Sequence, residues 1–126
     1  MEPTIPVLFN TCYGGWHLSE RALVLYRERQ PSYSEDARFS MCRHDPILVQ
    51  IFNELGREFD AAFSKTEVWN IPAKYINHYR IKEYDGMESV SIDYSKYTLD
   101  TLKEVLRAAE LSSDEKVHRC QDILGV

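Results

Sequence analysis

The 126-residue chain is the size of one domain, and at that length roughly two-thirds of the unfolded surface can be buried without disulfides or metal. Apolar residues at 44% and charged residues at 28% are ordinary globular usage, which excludes a disordered chain. Fifteen Lys and Arg against 20 Asp and Glu give a formal net charge of −5, and the basic residues are scattered; this argues against a nucleic-acid partner, which needs clustered positive charge to displace counterions.

In chain order, Ile5 to Asn10 is an apolar run suited to a buried strand. Thr11 to His17, with Gly14 and Gly15, breaks it. Ser19 is the expected N-cap of a helix from Glu20 to about Arg29, with Leu18 and Leu23 at staple positions and Pro31 as the stop. Pro31 to Met41 is polar and reads as a loop. Asp45-Pro46 opens a second helix, with Asp as cap and Pro at the first helical position. Ile47, Leu48, Ile51, Phe52 and Leu55 follow at helical spacing, and Gly56 closes it. Arg57 to Ser64 is ambiguous and is compatible with a second short helix.

Glu67 to Ile71 reads as a strand closed by Pro72. Tyr79–Tyr84 and Met87–Tyr94 alternate as strands around Asp85-Gly86, a two-residue turn in which both central positions need positive φ. Leu99, Leu102, Val105, Leu106 and Ala109 form one helical stripe, with Thr98 as its cap. Ser112 and Glu115 make a capping box for a last helix carrying Val117, Ile123 and Leu124. The expected architecture is α+β: a small antiparallel or mixed sheet of about four strands covered by helices, with a C-terminal helical pair. One domain is expected over residues 1–126, comprising an α+β core at 5–94 and a helical extension at 98–126.

The three cysteines, Cys12, Cys42 and Cys120, lack the spacing of a secreted disulfide framework and fit a reducing compartment. No basic segment followed by an apolar run opens the chain, so a secreted protein is not expected. No stretch approaches the roughly 20 apolar residues of a membrane span, so no membrane partner is expected either.

Four fragments occur in order: Phe9-Asn10-Thr11-Cys12-Tyr13-Gly14-Gly15, Leu18-Ser19-Glu20, Arg43-His44-Asp45-Pro46 and Glu83-Tyr84-Asp85-Gly86, with Ile71-Pro72 before the last. As a set they resemble a family of small uncharacterised proteins of bacteriophages and large DNA viruses, over roughly residues 5 to 94. Trp16-His17 departs from the pattern, which has an aromatic followed by a small residue, and the tail from Thr98 looks like an addition. The resemblance implies a viral protein in the cytoplasm of an infected host cell, or in the virion, and brings no assigned activity.

Two segments could carry chemistry. A strand ending in Gly14-Gly15 before a helix exposes backbone N–H groups beside the positive end of the helix dipole, suited to phosphate or carboxylate, with His17 and Ser19 able to add contacts. The turn is neither a P-loop nor a dinucleotide fingerprint. Arg43 and His44 precede a helix N-terminus and could add positive charge to such a site. The bland reading is that the glycines turn the chain, Asp45 caps its helix, His44 bonds a carbonyl and Arg43 pairs with an acid. Cys12 is a candidate nucleophile with His17 or His44 as base. Cys12, His17, Cys42 and His44 have zinc-ligand types but no zinc spacing, so no metal and no cofactor are expected. Tyr75, Tyr79, Tyr84, Tyr94 and Tyr97 could stack a base, but such residues more often cover a half-buried hairpin.

Three functions remain open. The first is a non-enzymatic viral or phage accessory protein binding a small anionic ligand or nucleotide through Gly14, Gly15, His17, Ser19, Arg43 and His44. The second is a small hydrolase or transferase using Cys12 or His44. The third is a structural or protein-interaction component, including a homodimer formed through residues 98–126.

Overall fold

The computed structural model describes residues 2–33 and 41–126, so most of the expected loop between Pro31 and Met41 lies outside the described residues. The order is strand β1 (Thr4–Asn10), helix α1 (Glu20–Arg29), helix α2 (Pro46–Leu55), strand β2 (Thr66–Pro72), strands β3 (Tyr79–Tyr84) and β4 (Met87–Ile92), then helices α3 (Tyr94–Arg107) and α4 (Ser113–Leu124). The class is α+β, as the patterning predicts. The strands pair antiparallel in two separate ribbons, β1 with β2 and β3 with β4. Pro72, expected just beyond β2, is its last residue, opposite Thr4, where a missing N–H costs the ladder little.

Val7 through Asn10 are buried without a break, because both faces of β1 are covered. Leu8 joins Ala22 and Tyr26 of α1, Leu48 and Ile51 of α2 and Phe59 in one apolar cluster. Val7 and Phe9 point the other way by strand alternation, and Phe9 meets Trp69 of β2 edge-on at 6.5 Å. The helix ends are set locally. The Ser19 hydroxyl accepts from the Ala22 amide, and the Asp45 carboxylate accepts from the Ile47 amide with Pro46 at the first helical position. The ambiguous stretch after α2 is a one-turn 3-10 helix, Gly56–Phe59, which delivers Phe59 fully buried against Phe52 at 5.3 Å. Truncating a core residue such as Leu48 should cost about 2–5 kcal/mol.

The hairpin turn has φ of 52° at Asp85 and 89° at Gly86, positive at both central positions as expected. β4 is shorter than the alternation suggested. Asp93 accepts from the Lys96 amide and starts α3 at Tyr94, so Tyr94 belongs to the helix and Thr98 lies inside it. Tyr75, Tyr94 and Tyr97 do not cover the hairpin. They stack edge-on, at 5.3 Å for Tyr75–Tyr94 and 4.8 Å for Tyr75–Tyr97, and with His78–Asp100 at 2.8 Å they fasten α3 to the chain before β3. Ser112 caps α4 by accepting from Glu115. No residue of α3 or α4 is buried. Among the described residues, no helix is long and apolar enough to cross a membrane.

Candidate functional site

The turn after β1 and the segment before α2 do meet. The Arg43 guanidinium lies 3.8 Å from the centroid of the Trp16 ring, and its backbone carbonyl accepts from the Leu8 amide at 2.8 Å. Arg43 is already partnered. Nη1 donates to Glu88 Oε1 at 2.6 Å and Nη2 to Oε2 at 2.8 Å, with the two side chains only 18% and 9% exposed. Glu88 of β4 also accepts from the Asn10 amide at 2.8 Å. The acid-pair alternative for Arg43 is therefore what the fold contains, and the carboxylate neutralises the charge that an incoming anion would need.

The glycine turn is crowded from one side, although Gly14 stays exposed and Gly15 half-buried. Gly15 has φ of 85°, and a Cβ on Gly14 would sit 2.3 Å from Phe63. A Cβ on Gly86 would fall 2.1 Å from the Tyr13 carbonyl and 2.6 Å from the Gly15 nitrogen, so the hairpin tip rests on this loop. Asn10 locks the approach from below. It is fully buried; Nδ2 donates to the carbonyls of Cys12 and Gly86, and Oδ1 accepts from the amides of Cys12 and Lys65. All four hydrogen-bonding positions of its amide are used. Ser19 caps α1 and donates to the Glu58 carbonyl at 2.5 Å, while Trp16 donates from Nε1 to Thr66 at 2.9 Å. His17 is exposed, its backbone held by Ser64 and Ala61. Of the six anion candidates, Arg43 is thus tied to Glu88 of the hairpin, and the backbone at Gly15 lies against the hairpin tip at Gly86. Asn10 and Glu88, at the centre of this junction, carry no local sequence signal.

His44 turns elsewhere. The Asp45 amide donates to the Cys42 carbonyl at 3.2 Å, closing a turn over Cys42–Asp45 that sets residues 42 and 44 side by side. His44 Nε2 lies 3.3 Å from Cys42 Sγ, and Nδ1 lies 2.5 Å from Tyr79 Oη, not at a backbone carbonyl. Both ring nitrogens are thereby engaged, so the sulfur beside His44 belongs to exposed Cys42, not to the expected Cys12. Burial, then the nearby Cys42, push the Tyr79 phenol up to about 12 against the opposing charge of Arg43, so it keeps its proton at neutral pH. Burial and the hydrogen bond to Asp45 raise the Tyr26 phenol as well. The His44 ring also borders a cavity of about 580 Å³ whose walls include Ile5, Pro6, Val49 and Ile76. Among the described residues, no group of three or more His, Cys, Asp or Glu side chains is gathered to hold a metal.

The C-terminal helices also expose apolar side chains. Leu99 and Leu106 are 51% and 58% exposed, and Val117 and Leu124 are 57% and 54% exposed. Each pair is seven residues apart, two turns along one helix face. A depression of about 390 Å³ on α3 is lined by Tyr94, Ser95, Thr98, Leu99 and Leu102.

No family model matches this chain, and no curated protein and no solved structure matches it. The fold and the two surfaces together describe an α+β protein with a C-terminal amphipathic helix pair, and function is read from their chemistry.

Proposed function

We propose that the chain is a protein-interaction component that assembles with a second copy of itself through the outer face of α3 and α4. One observation carries this reading: two helices of 14 and 12 residues contain no buried side chain, yet each presents aliphatic residues at heptad spacing to solvent. A helix that is apolar along one stripe is stabilised chiefly by burying it.

Charge favours a copy of this chain as the occupant. The two helices carry five basic residues, Lys96, Lys103, Arg107, Lys116 and Arg119, balanced by five acidic ones, Asp100, Glu104, Asp114, Glu115 and Asp122. At 100° per residue, Lys96 and Lys103 flank the Leu99–Leu106 stripe and Asp114 flanks Val117. In a two-fold arrangement that sets α3 of one protomer against α4 of its partner, those opposite charges meet. The anionic-ligand reading has less to stand on, because the guanidinium it requires is already held by Glu88.

The test is the mass in solution of the full chain and of a Leu99→Glu/Leu106→Glu variant, by light scattering and sedimentation. The expected result is a wild-type dimer and a variant that is monomeric with unchanged helical circular dichroism. A wild type that stays monomeric up to about 1 mM, or a variant that still dimerises, overturns the reading.

A further inference from the structure

A different part of the molecule carries chemistry of its own. Cys42 combines three features: it is exposed, its sulfur lies 3.3 Å from an imidazole nitrogen, and that imidazole is held through its other nitrogen by the half-buried Tyr79 phenol. These are the nucleophile, base and orienting group of an activated thiol, each within reach of the next. The Cys42–Asp45 turn fixes the first pair locally, and Tyr79 fixes the ring from β3, in a separate part of the chain. Independently of that cluster, the same imidazole borders the 580 Å³ cavity between β1 and α2. A molecule lodged among Ile5, Pro6 and Val49 therefore touches the ring that would take up the proton.

We infer that Cys42 is a nucleophilic thiol with His44 as its proton acceptor and Tyr79 as the residue that positions His44, and that it undergoes thiol–disulfide exchange with small organic disulfides bearing an apolar group. With its hydrogen on Nδ1 and directed at the Tyr79 oxygen, His44 presents the Nε2 lone pair to the sulfur. Nε2 takes the thiol proton. The thiolate attacks one sulfur of the disulfide R–S–S–R, forming the Cys42–S–R bond as the old S–S bond breaks. The electron pair of that bond leaves on the second sulfur as RS⁻, which takes the proton back from His44 and departs as RSH. Cys42 is oxidised and the leaving sulfur reduced, so protons and electrons balance with the disulfide as the sole co-reactant. Exchange of this kind needs a thiolate, an open line of approach and a proton acceptor. The geometry supplies the last two directly and the first through His44.

The experiment follows the reaction of the folded full chain with 4,4′-dithiodipyridine at pH 7, reading thiopyridone release and mapping the modified cysteine by peptide mass. One fast equivalent per chain is expected, located at Cys42 and absent in Cys42→Ser. Exposure alone would also make a thiol fast, so His44 decides the matter. His44→Gln should slow the fast phase by at least about tenfold, whereas a merely accessible thiol keeps its rate. Circular dichroism establishes that the variant is folded. Should His44→Gln unfold, Tyr79→Phe preserves the ring packing and must slow the phase severalfold through loss of the orienting oxygen. Equal rates for all three cysteines, a fast phase that survives Cys42→Ser, or an unchanged rate in the folded His44 or Tyr79 variant overturns the inference.

Discussion

Arg43 and Glu88 meet through two charge-assisted hydrogen bonds, at 2.6 and 2.8 Å, across 45 residues of sequence. Trp16 covers the guanidinium, and Glu88 also receives the Asn10 amide. The pair links the β3–β4 hairpin to β1 and to the segment preceding α2.

Breaking one half of this pair should cost more than removing both halves. Glu88→Gln leaves a largely buried guanidinium without its countercharge and is expected to destabilise the fold by about 3 kcal/mol. Arg43→Met/Glu88→Met, which leaves no orphaned charge, should recover much of that loss. Urea unfolding of the single and double variants measures both, and a double variant as unstable as the sum of its parts would contradict the argument.

Asn10 should be as sensitive as any apolar core position. Asn10→Ala strands the amide of Lys65 and the carbonyls of Cys12 and Gly86, and a loss of about 2–4 kcal/mol is expected. Asn10→Asp keeps the shape but turns an oxygen toward carbonyls that need a donor, so it should not rescue. Stability of Asn10→Asp equal to wild type in chemical unfolding would show that those two carbonyls do not depend on the side-chain amide.

Two glycines with positive φ separate backbone strain from lack of space. Gly56 has φ of 57° with ψ of −126°, a backbone conformation that L residues rarely adopt, and open space where a methyl would stand, so Gly56→Ala should cost only this backbone strain, about 1–3 kcal/mol. At Gly86 the same substitution adds a collision with the Tyr13 carbonyl, and a clearly larger fall in Tm is expected. Equal Tm shifts for the two variants would mean that the hairpin tip does not rest on the glycine loop.

Acid should loosen the attachment of α3. The hydrogen bond from His78 holds the Asp100 carboxyl below its ordinary value of 3.8, against a smaller opposing effect of burial. A carboxyl with a lowered folded pKa contributes stability that is present above the unfolded value and is lost as pH falls through the folded one. Asp100→Asn should therefore weaken the near-ultraviolet signal of Tyr75 and Tyr97 at neutral pH, and the difference from wild type should vanish as the pH drops well below about 4. If the two proteins differ equally at neutral and strongly acid pH, the ionised pair is not the cause.

Much of the fold is legible wherever short-range chemistry decides it. Ser19, Asp45 and Ser112 act as caps, and Asp85-Gly86 forms the turn, because each needs only groups within three residues. The start of α3 is hidden because Ser91 to Tyr94 continues the alternation of β4, and the cap at Asp93 competes with that pattern. The site is harder to read. His44 is identifiable beside a helix start, but its partner depends on a turn that brings Cys42 closer than Cys12 and on Tyr79 from a distant strand. The Gly14-Gly15 motif reads as a ligand cradle locally; Gly86 and Phe63, which crowd it from one side, are about 70 and 50 residues away, beyond the range of any local pattern.

The side of β1 that faces away from β2 is closed by unlike groups, the Arg43 carbonyl at Leu8 and the Glu88 carboxylate at Asn10. An unpaired strand border is a template on which another extended chain can zip, and here a loop and a side chain occupy the places a third strand would take. That stopper depends on the same two residues that form the ion pair. Variants that dislodge Arg43 or Glu88 should therefore clump and fibrillate more readily than equally destabilised variants of the helical core.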